Sequence, residues 1–348
     1  MNIKYDVEKL RIFCEDIMIK SGLERDEASN NVDSLIQADL RGVSSHGVTR
    51  LRTYAKRVQT GVVKSGQKPT VLNISPTTLM IDANNGTGSS IGIQVMDICM
   101  ERAREYGSGF ATVKNANHFG IAAYFTMHAA KNGMIGVAMS NCPACVVPTG
   151  GAKPIFGTNP LSIAVPAGNH APLVLDMATS VVAQGKVILA DKEGKTIPDS
   201  WAVDADGKPT SDPKEALKGA MLPFGGPKGY AIGFIIEILS CILSGAFNSR
   251  EVNNFWKDFE NPQNLGYFMG AFDIEKFLPM EIFKERMDKI LDDIKSCPPA
   301  PGFLEVFIPG EIEHRSTTKK LAEGIELGEG VVTELKSLGE EYRVIWPF

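Results

Sequence analysis

The sequence has little charge imbalance and no visible internal repeat. Its 348 residues carry a formal net charge of -5, with Lys and Arg scattered along the chain rather than arranged in a stripe. This distribution argues against a nucleic-acid partner and against binding to an anionic membrane surface. Hydrophobic residues make up 43% of the chain and charged residues 22%, which is typical of a globular protein. The length favours two or three lobes around a shared core.

Long uninterrupted apolar segments are also missing. The N-terminus carries Asp6, Glu8 and Glu15 among its apolar positions, so it lacks the hydrophobic core of a signal peptide, and we expect a cytoplasmic protein. Residues 231–247 are the one candidate for a membrane segment, but Glu237 lies near their centre. A carboxylate at that depth in a bilayer is costly. The segment therefore predicts a buried helix.

The six cysteines do not have the spacing of a disulfide framework or of a zinc site. Only Cys142 and Cys145, in "CPAC", are close in sequence. This pair follows a strand-like run instead of opening a helix, and no second pair exists to complete a zinc site. We interpret the cysteines as structural and expect no metal centre.

The GxGxxG fingerprint of an ordinary dinucleotide-binding loop is missing as well. The nearest match, "GTGSSIG" at residues 86–92, has the spacing GxGxxxG. No acidic residue that ends a second strand follows clearly about 20 residues later, where that fold needs one for the ribose. We interpret the stretch as a loop and a helix cap, so any dinucleotide must bind by another design.

Strand-like and helical segments alternate through residues 76–140. The strands "TTLMIDA", "FATVK" and "MIGVAMS" are separated by the apolar-periodic helices "NNGTGSSIGIQVMDICMERAREYG" and "IAAYFTMHAAKNG". This alternation predicts an α/β fold. Residues 142–230 are rich in Gly and Pro and predict long, shaped loops, which often carry functional sites. Residues 279–296 and the charged C-terminal region are again predicted to be helical.

Residues 41–50, "RGVSSHGVTR", lie where one helical pattern stops and another starts. Ser44 or Ser45 as N-cap, with His46 in the first turn, would form a corner that favours anions. Arg50 lies four residues after His46 on the same predicted helix face, where a guanidinium can bind a carboxylate through two hydrogen bonds. On this stretch alone, a capped surface turn explains the residues equally well.

Other candidate residues lie in loops. His118, in "NANHFG", follows a predicted strand, the usual place for a site residue in an α/β protein, although a structural histidine is the simpler reading. Lys228 lies near glycines in "PFGGPKGY", where backbone amides and an ammonium can meet an anion. Asp176 lies at the end of a predicted strand, where its carboxylate could bind a ribose or act as an N-cap. The turn Pro309–Glu311 resembles an anion-binding turn but is explained equally by turn chemistry.

Six stretches of the chain, taken in order, resemble the malate/L-lactate dehydrogenase family. They are "ADLRGVSSHGVTRL", "NANHFGIAAYF", "GTNPLSIAVP", "LDMATSVVAQGKV", "IPDSWAVDADGKPTSDP" and "GGPKGYAIGFIIEIL". Each is weak alone, but together they extend over nearly the whole chain. The family also includes ureidoglycolate, sulfolactate and diketogulonate enzymes.

The resemblance implies a non-Rossmann α/β fold with mixed sheets and a helical lobe formed by the N- and C-terminal parts. Residues 1–75 with 285–348 would form that lobe, with substrate and dimer contacts, and residues 76–284 the cofactor lobe. The implied activity is that of an NAD(P)-dependent oxidoreductase. The implied assembly is a homodimer or a larger oligomer with sites at subunit interfaces. Such a fold would explain the missing GxGxxG fingerprint.

The resemblance also implies roles for individual residues. Ser45, His46 and Arg50 match the family's SHG motif and would contact substrate, as would Thr158 in "GTNP". His118 matches a histidine beside the nicotinamide that is the acid/base in some members. The positions that match cofactor contacts are Gly120, Ser140, Asp176, Met177, Ala178, Lys228, Gly310 and Glu311.

The identity of the proton donor stays open at this level, because family members differ in using the SHG or the HFG histidine. The helix start and Arg50 would lower the pKa of His46, so we expect His118 to carry the proton and His46 to orient substrate.

The substrate of the leading hypothesis is a small 2-hydroxy acid of the malate or lactate kind, with Arg50 on its C1 carboxylate. Ureidoglycolate and sulfolactate are the alternatives, and the cofactor is NAD, with NADP as the other possibility. A regulatory nucleotide-binding protein without catalysis is disfavoured because His46, Arg50 and His118 are all present.

Overall fold

The computed structural model describes residues 3–348, apart from the side chain of Lys192, and this part of the chain contains eleven α-helices and eleven β-strands. The helices are α1 (Val7–Ser21), α2 (Arg25–Leu40), α3 (Leu51–Gln59), α4 (Gly88–Tyr106), α5 (Ala123–Lys131), α6 (Gln184–Lys192), α7 (Pro213–Lys218), α8 (Pro227–Glu237), α9 (Met280–Lys295), α10 (Glu311–Glu323) and α11 (Glu329–Tyr342). The strands are β1 (Lys4–Tyr5), β2 (Thr70–Ile74), β3 (Thr78–Asp82), β4 (Ser108–Ala116), β5 (Met134–Ser140), β6 (Leu161–Val165), β7 (Leu173–Met177), β8 (Ala202–Val203), β9 (Ala220–Met221), β10 (Leu265–Asp273) and β11 (Ile325–Glu326).

A seven-stranded mixed sheet organises the middle of the chain, in the order β2-β3-β4-β10-β5-β6-β7. Only β3 and β4 run parallel, and the other neighbours are antiparallel. The predicted α/β fold with a mixed sheet is therefore confirmed. The central strand, β10, comes from a segment far along the chain and separates β4 from β5.

Two buried clusters of apolar side chains form the main cores. The larger lies between the sheet and helices α4 and α5, and it includes the fully buried Ile81, Met96 and Phe125. The second joins α1, α2 and α3 to α11, with Leu35 and Leu338 among its members, and β1 pairs with β11 beside it. Burial of each such side chain contributes about 1.5–3 kcal/mol. The second core confirms the predicted helical lobe built from the N- and C-terminal parts.

The apolar run at residues 231–247 is helical but differs from the prediction of a buried helix. It begins in α8 and continues into a π-turn, Ile238–Ile242. Ile236 and mainly small or polar side chains of this segment are buried, whereas Ile242 and Leu243 are 63% and 57% exposed. In the described residues, no helix is both long and apolar enough to cross a membrane.

The Gly- and Pro-rich stretch, residues 142–230, contains more regular structure than the predicted loops. Strand β7 agrees with the strand predicted to end at Asp176, and β6 extends the sheet beside it. Helices α6 and α7 pack on each other around a small apolar core. Strands of five residues bounded by Gly and Pro are too short for periodicity to identify with certainty.

Candidate active site

Residues 44–50 form two consecutive 3-10 turns between α2 and α3. The predicted serine N-cap is wrong, because neither serine caps a backbone N–H and the α-helix begins only at Leu51. The side chain of Asp39, in α2, caps a backbone N–H of these turns instead: its carboxylate accepts a 2.8 Å hydrogen bond from the Val48 N–H. A Cβ at Gly47 would lie 2.0 Å from an Asp39 oxygen, so only glycine lets the turn pack on this carboxylate.

Asp39 is 3% exposed, and burial raises the pKa of its carboxyl to about 7. The Val48 N–H and the nearby Lys320 ammonium oppose that rise. The turn that carries the SHG motif therefore rests on a carboxyl that titrates near neutral pH.

His46 and His118 stack on each other, with ring centroids 5.6 Å apart and an interplanar angle of 17°. The Ser45 hydroxyl lies 3.0 Å from Nδ1 of His46. Burial, with the positive charge of Arg50 as a smaller cause, lowers the pKa of His46 to about 4. The predicted direction of this shift is confirmed, but burial rather than the helix start is its main cause.

Hydrogen bonds with Tyr54 and Gly120 indicate which ring nitrogen of His118 carries the proton. The Tyr54 hydroxyl is 2.6 Å from Nδ1 of His118, and the Gly120 N–H donates to the same nitrogen at 3.4 Å. A backbone N–H can only donate, so Nδ1 is an acceptor and the neutral ring carries its proton on Nε2. Burial, followed by repulsion from His46 and Arg50, lowers the pKa of His118 well below its ordinary value.

The glycine-rich stretch at residues 86–92 supports the His118 loop from behind. Thr87 is the N-cap residue of α4, and a Cβ at Gly88 would lie 2.3 Å from the carbonyl oxygen of His118. A Cβ at Gly92 would collide with the ring of Phe125. These glycines serve close packing of helix and loop, which confirms the loop-and-cap interpretation.

Arg50 is the cation of this cleft. Its guanidinium carbon lies 3.8 Å from the ring centroid of Trp256, and its Nε is buried without a hydrogen-bond partner among the described residues. Burial lowers the pKa of Arg50 to about 10, so the group stays charged at neutral pH. The loop that carries Trp256 is held by Arg57, whose Nη1 donates to the Asp258 carbonyl at 2.7 Å.

Several residues predicted to contact cofactor converge on the end of β7. Asp176, in β7, accepts a hydrogen bond from the Ala123 N–H at the start of α5, and burial raises its pKa to about 6. Met177 ends the strand, and Ala178 follows it. Gly310 has φ of 88°, and a Cβ there would lie 2.8 Å from Val174 of β7.

Glu311 follows Gly310 and opens α10. Its carboxylate binds Lys295 at 3.0 Å and Arg315, and it also accepts a 3.0 Å hydrogen bond from the Ile308 N–H. Burial opposes ionisation of Glu311, but the Ile308 N–H, followed by Lys295 and Arg315, lowers the pKa of its carboxyl below the ordinary value. Its side chain is therefore held by groups of the protein itself.

Among the described hydrogen bonds and ring contacts, none joins Ser140, Thr158 or Lys228 to the histidine pair. Ser140 is buried at the end of β5 and donates to the Asn141 carbonyl. The contacts recorded for Thr158 in the described residues are with Cys142, Cys145 and Thr179. Lys228 is exposed at the second position of α8.

The six cysteines are free, and burial raises the pKa of the Cys142 thiol to about 11. Within residues 3–348, no group of three or more His, Cys, Asp or Glu side chains is arranged to hold a metal ion.

Comparison with known proteins identifies the family of this chain. The sequence profile of the malate/L-lactate dehydrogenase family matches residues 5–336. The chain belongs to this family. Its members are dehydrogenases, so the protein is an oxidoreductase.

Individual relatives of this dehydrogenase cover almost its full length. An L-sulfolactate dehydrogenase of Methanocaldococcus jannaschii is 39% identical over 344 residues, which cover 98% of this chain and 97% of the relative. A ureidoglycolate dehydrogenase (NAD(+)) of Escherichia coli is 33% identical, covering 96% and 95% of the two chains. The crystal structure of malate dehydrogenase from Entamoeba histolytica superposes with a TM-score of 0.94 at 32% identity over 100% of both chains.

The sequence analysis of this dehydrogenase missed four residues of the cleft. Tyr54 lies four residues after Arg50, so the helical spacing that paired His46 with Arg50 could have included it. Phe255, Trp256 and Gln263, whose side chain accepts from the His118 N–H, are not among the predicted site residues. No local signal connects that distant segment to the histidine loop.

Proposed function

We propose that this dehydrogenase interconverts a small 2-hydroxy acid and its 2-keto acid, of the malate or lactate kind, with NAD or NADP as cofactor. The observation that carries the proposal is Arg50. Its charged guanidinium has a buried, unpaired Nε beside the stacked histidines. An unpaired buried donor is costly, and a substrate carboxylate is the group that best satisfies a guanidinium.

The chain also offers a place for the diphosphate of the dinucleotide. Gly225 and Gly226, just before α8, have positive φ and open space where a Cβ would lie. The start of α8 supplies backbone N–H groups and partial positive charge, and Lys228 adds a full charge. With Asp176 and the turn at Gly310, these residues would hold the cofactor. A nicotinamide held there would supply the hydride acceptor or donor for C2 of the substrate.

In the proposed mechanism, Arg50 binds the C1 carboxylate and the His118 Nε2 faces the C2 oxygen. In the reduction direction, His118 first takes up a proton at Nδ1, and the Nε2 proton then passes to that oxygen, which leaves a neutral ring with its proton on Nδ1. In the oxidation direction, the steps run in reverse: the proton of the neutral ring moves to Nδ1, where Tyr54 accepts it and the hydrogen bond from the Gly120 N–H is given up, and the Nε2 lone pair takes the hydroxyl proton before the ring releases a proton to solvent. Because a tyrosine hydroxyl can donate or accept, one arrangement serves both directions. His46, with Ser45 on its Nδ1, would orient the substrate.

A panel of 2-keto acids assayed with NADH and with NADPH tests the proposal. We expect oxidation of the reduced nucleotide with oxaloacetate or pyruvate, and the panel includes sulfopyruvate and the product of ureidoglycolate oxidation to discriminate the alternatives. Preference for a substrate with a second anionic group would identify a further cationic contact. No turnover by folded protein that binds neither nucleotide would refute the dehydrogenase activity proposed.

Separate replacement of His118 and His46 by Asn divides their roles. We expect His118→Asn to lower kcat by about 10²- to 10⁴-fold, the usual contribution of an acid/base group, and His46→Asn mainly to raise KM. Equal and non-additive losses would contradict this division.

We also propose that the protein is a homodimer that buries the outer face of α8. That face and the turn after it expose large apolar side chains, among them Ile235, Ile242 and Leu243. Contiguous exposed apolar area of this kind usually marks an interface. Light scattering should give a dimer for the wild type and a monomer for Ile235→Glu, while Leu304→Glu, at a fully exposed loop position, should not change the mass.

A further inference from the structure

A small cavity is lined by both partners of the His118–Tyr54 hydrogen bond, whereas Arg50 is not among its lining residues. Its volume is about 20 Å³, which is room for one water molecule. Tyr54, His118 and Phe255 form one wall, and the start of α4 at Thr87 and Gly88 forms another. The cavity therefore touches the group that sets the protonation of His118.

Four polar side chains around the cavity are buried and incompletely paired. They are Asn31, Arg57, Thr87 and Asn117, which are 5%, 1%, 2% and 3% exposed. Among the described residues, hydrogen-bond partners are lacking for Oδ1 of Asn31 and of Asn117, for Oγ1 of Thr87, and for Nε and Nη2 of Arg57. Buried polar atoms without partners are rare and costly in native proteins, and the four residues that carry these atoms line one water-sized space.

The donors and acceptors around this space match one water molecule. Arg57 can only donate, so the water oxygen can face its guanidinium, and the Thr87 hydroxyl can donate to the same oxygen. Tyr54 keeps acceptor capacity after it donates to Nδ1 of His118, so one hydrogen of the water can be donated to Tyr54. The other hydrogen can be donated to an amide oxygen of Asn31 or Asn117, because these oxygens can only accept.

We propose that this cavity binds one ordered water molecule, held by Arg57, Thr87 and an amide oxygen of Asn31 or Asn117, which donates its other hydrogen to Tyr54 and so fixes the proton of the resting His118 ring on Nε2. Thr87 is then a positioning residue that acts through the water and Tyr54. The part that concerns catalysis depends on the function proposed above, whereas the water site itself does not.

Thr87→Val is a clean test of the site. The Thr87 side chain makes no capping hydrogen bond, so valine keeps the shape and removes only the cavity hydroxyl. Ser89→Ala is the matched control, since Ser89 is a neighbouring buried hydroxyl of α4 that also lacks a partner but does not line the cavity. Thr87→Ser, which keeps a hydroxyl, should behave like the wild type.

High-resolution crystal structures of the wild type and of Thr87→Val test for the water directly. We expect a single density peak within hydrogen-bonding distance of Thr87 Oγ1 and Arg57 in the wild type and in Ser89→Ala, and a lost or weakened peak in Thr87→Val. An empty cavity in wild-type crystals that resolve other internal waters would overturn the proposal.

Nitrogen NMR of protein with labelled histidine tests the effect on His118, and the chain has only five histidines to assign. We expect the Nε2–H tautomer in the wild type and in Ser89→Ala, with a mixture of tautomers in Thr87→Val. A His118 signal unchanged by Thr87→Val would overturn the link to the water.

The kinetic readout separates this proposal from the general function. Thr87→Val should lower kcat about threefold to tenfold without raising KM, a small part of the acid/base contribution, and Ser89→Ala should keep wild-type kcat. If no 2-keto acid is turned over, the proposed function fails while the crystal and NMR results still decide the water site. If turnover is normal and Thr87→Val keeps wild-type kcat, the positioning role fails alone.

Discussion

The cleft around His118 and the surface at the end of β7 both carry predicted site residues, but they differ in how their polar groups are paired. In the cleft, Arg50 has a buried Nε without a partner, and burial lowers the pKa values of both histidines. Near β7, Glu311 is held by two cations and a backbone N–H, and Asp176 accepts from Ala123. An unpaired buried group such as Arg50 indicates where a ligand belongs, whereas a side chain such as Glu311, already bound by two cations of its own chain, is less available to a ligand.

The largest expected effect is at Arg50. Arg50→Ala should lower kcat/KM by about 100- to 1000-fold, because it leaves the substrate carboxylate without its charged partner. Arg50→Lys should recover only part of the loss, since an ammonium lacks the two-pronged geometry of a guanidinium. Steady-state kinetics measure both. Arg52→Lys is the control, because Arg52 pairs with Glu334 at 3.0 Å on the outside of the helical lobe. A comparable loss in that variant would mean that fold integrity rather than binding was measured.

The pH profile of the oxidation reaction should distinguish these buried histidines from ordinary ones. A histidine pKa lowered below 6.5 keeps the ring neutral as the pH falls, so a base of this kind stays active until the pH reaches the lowered value. We expect kcat/KM for the 2-hydroxy acid to stay flat, within about twofold, from pH 8 to pH 6. An ordinary histidine would show a clear decrease in that range. A midpoint near 6.5 would contradict the burial argument.

Asp39 should make the stability of the SHG turn depend on pH. Its pKa is raised to about 7 in the folded protein, so its contribution is complete below the unfolded value near 3.9 and is lost as the pH rises through about 7. The free energy of unfolding of the wild type, relative to Asp39→Asn, should fall by about 2–3 kcal/mol from pH 5 to pH 8. Denaturant titrations of both proteins at the two pH values measure this. A difference independent of pH would show that Asp39 is not a buried titrating group.

The smallest expected effect on catalysis is at Glu311. Glu311→Gln should change the KM for the nucleotide by less than about threefold, because its carboxylate is bound to Lys295 and Arg315 rather than left free for a ligand. Loss of those ion pairs should lower the Tm by roughly 2–4 °C. Nucleotide titration and thermal unfolding give the two quantities. A large rise in KM would place the side chain in the cofactor site and reduce the contrast between the two regions.

Much of the fold and of the candidate site could be predicted from the sequence. The strand "MIGVAMS" is found as β5 with the same bounds, and the helix predicted at 279–296 is α9. Ser45, His46, Arg50 and His118 were singled out as candidates, and the described contacts bring them into one cleft. Prediction from local sequence failed where a residue outside the motif makes the expected hydrogen bond. Asp39, rather than Ser44 or Ser45, accepts the hydrogen bond from the Val48 N–H in the turn that carries the SHG motif.

The sequence by itself determined the alternation of strands and helices, the helical lobe and the family. Those features depend on periodicity and on motifs that are contiguous in the chain. Only the tertiary structure decided that Trp256 covers Arg50, that Tyr54 donates to His118, and that Glu311 is occupied by cations. These contacts join segments far apart in the chain, and burial there sets the charge states. Neither the distances nor the burial can be read from residue spacing alone.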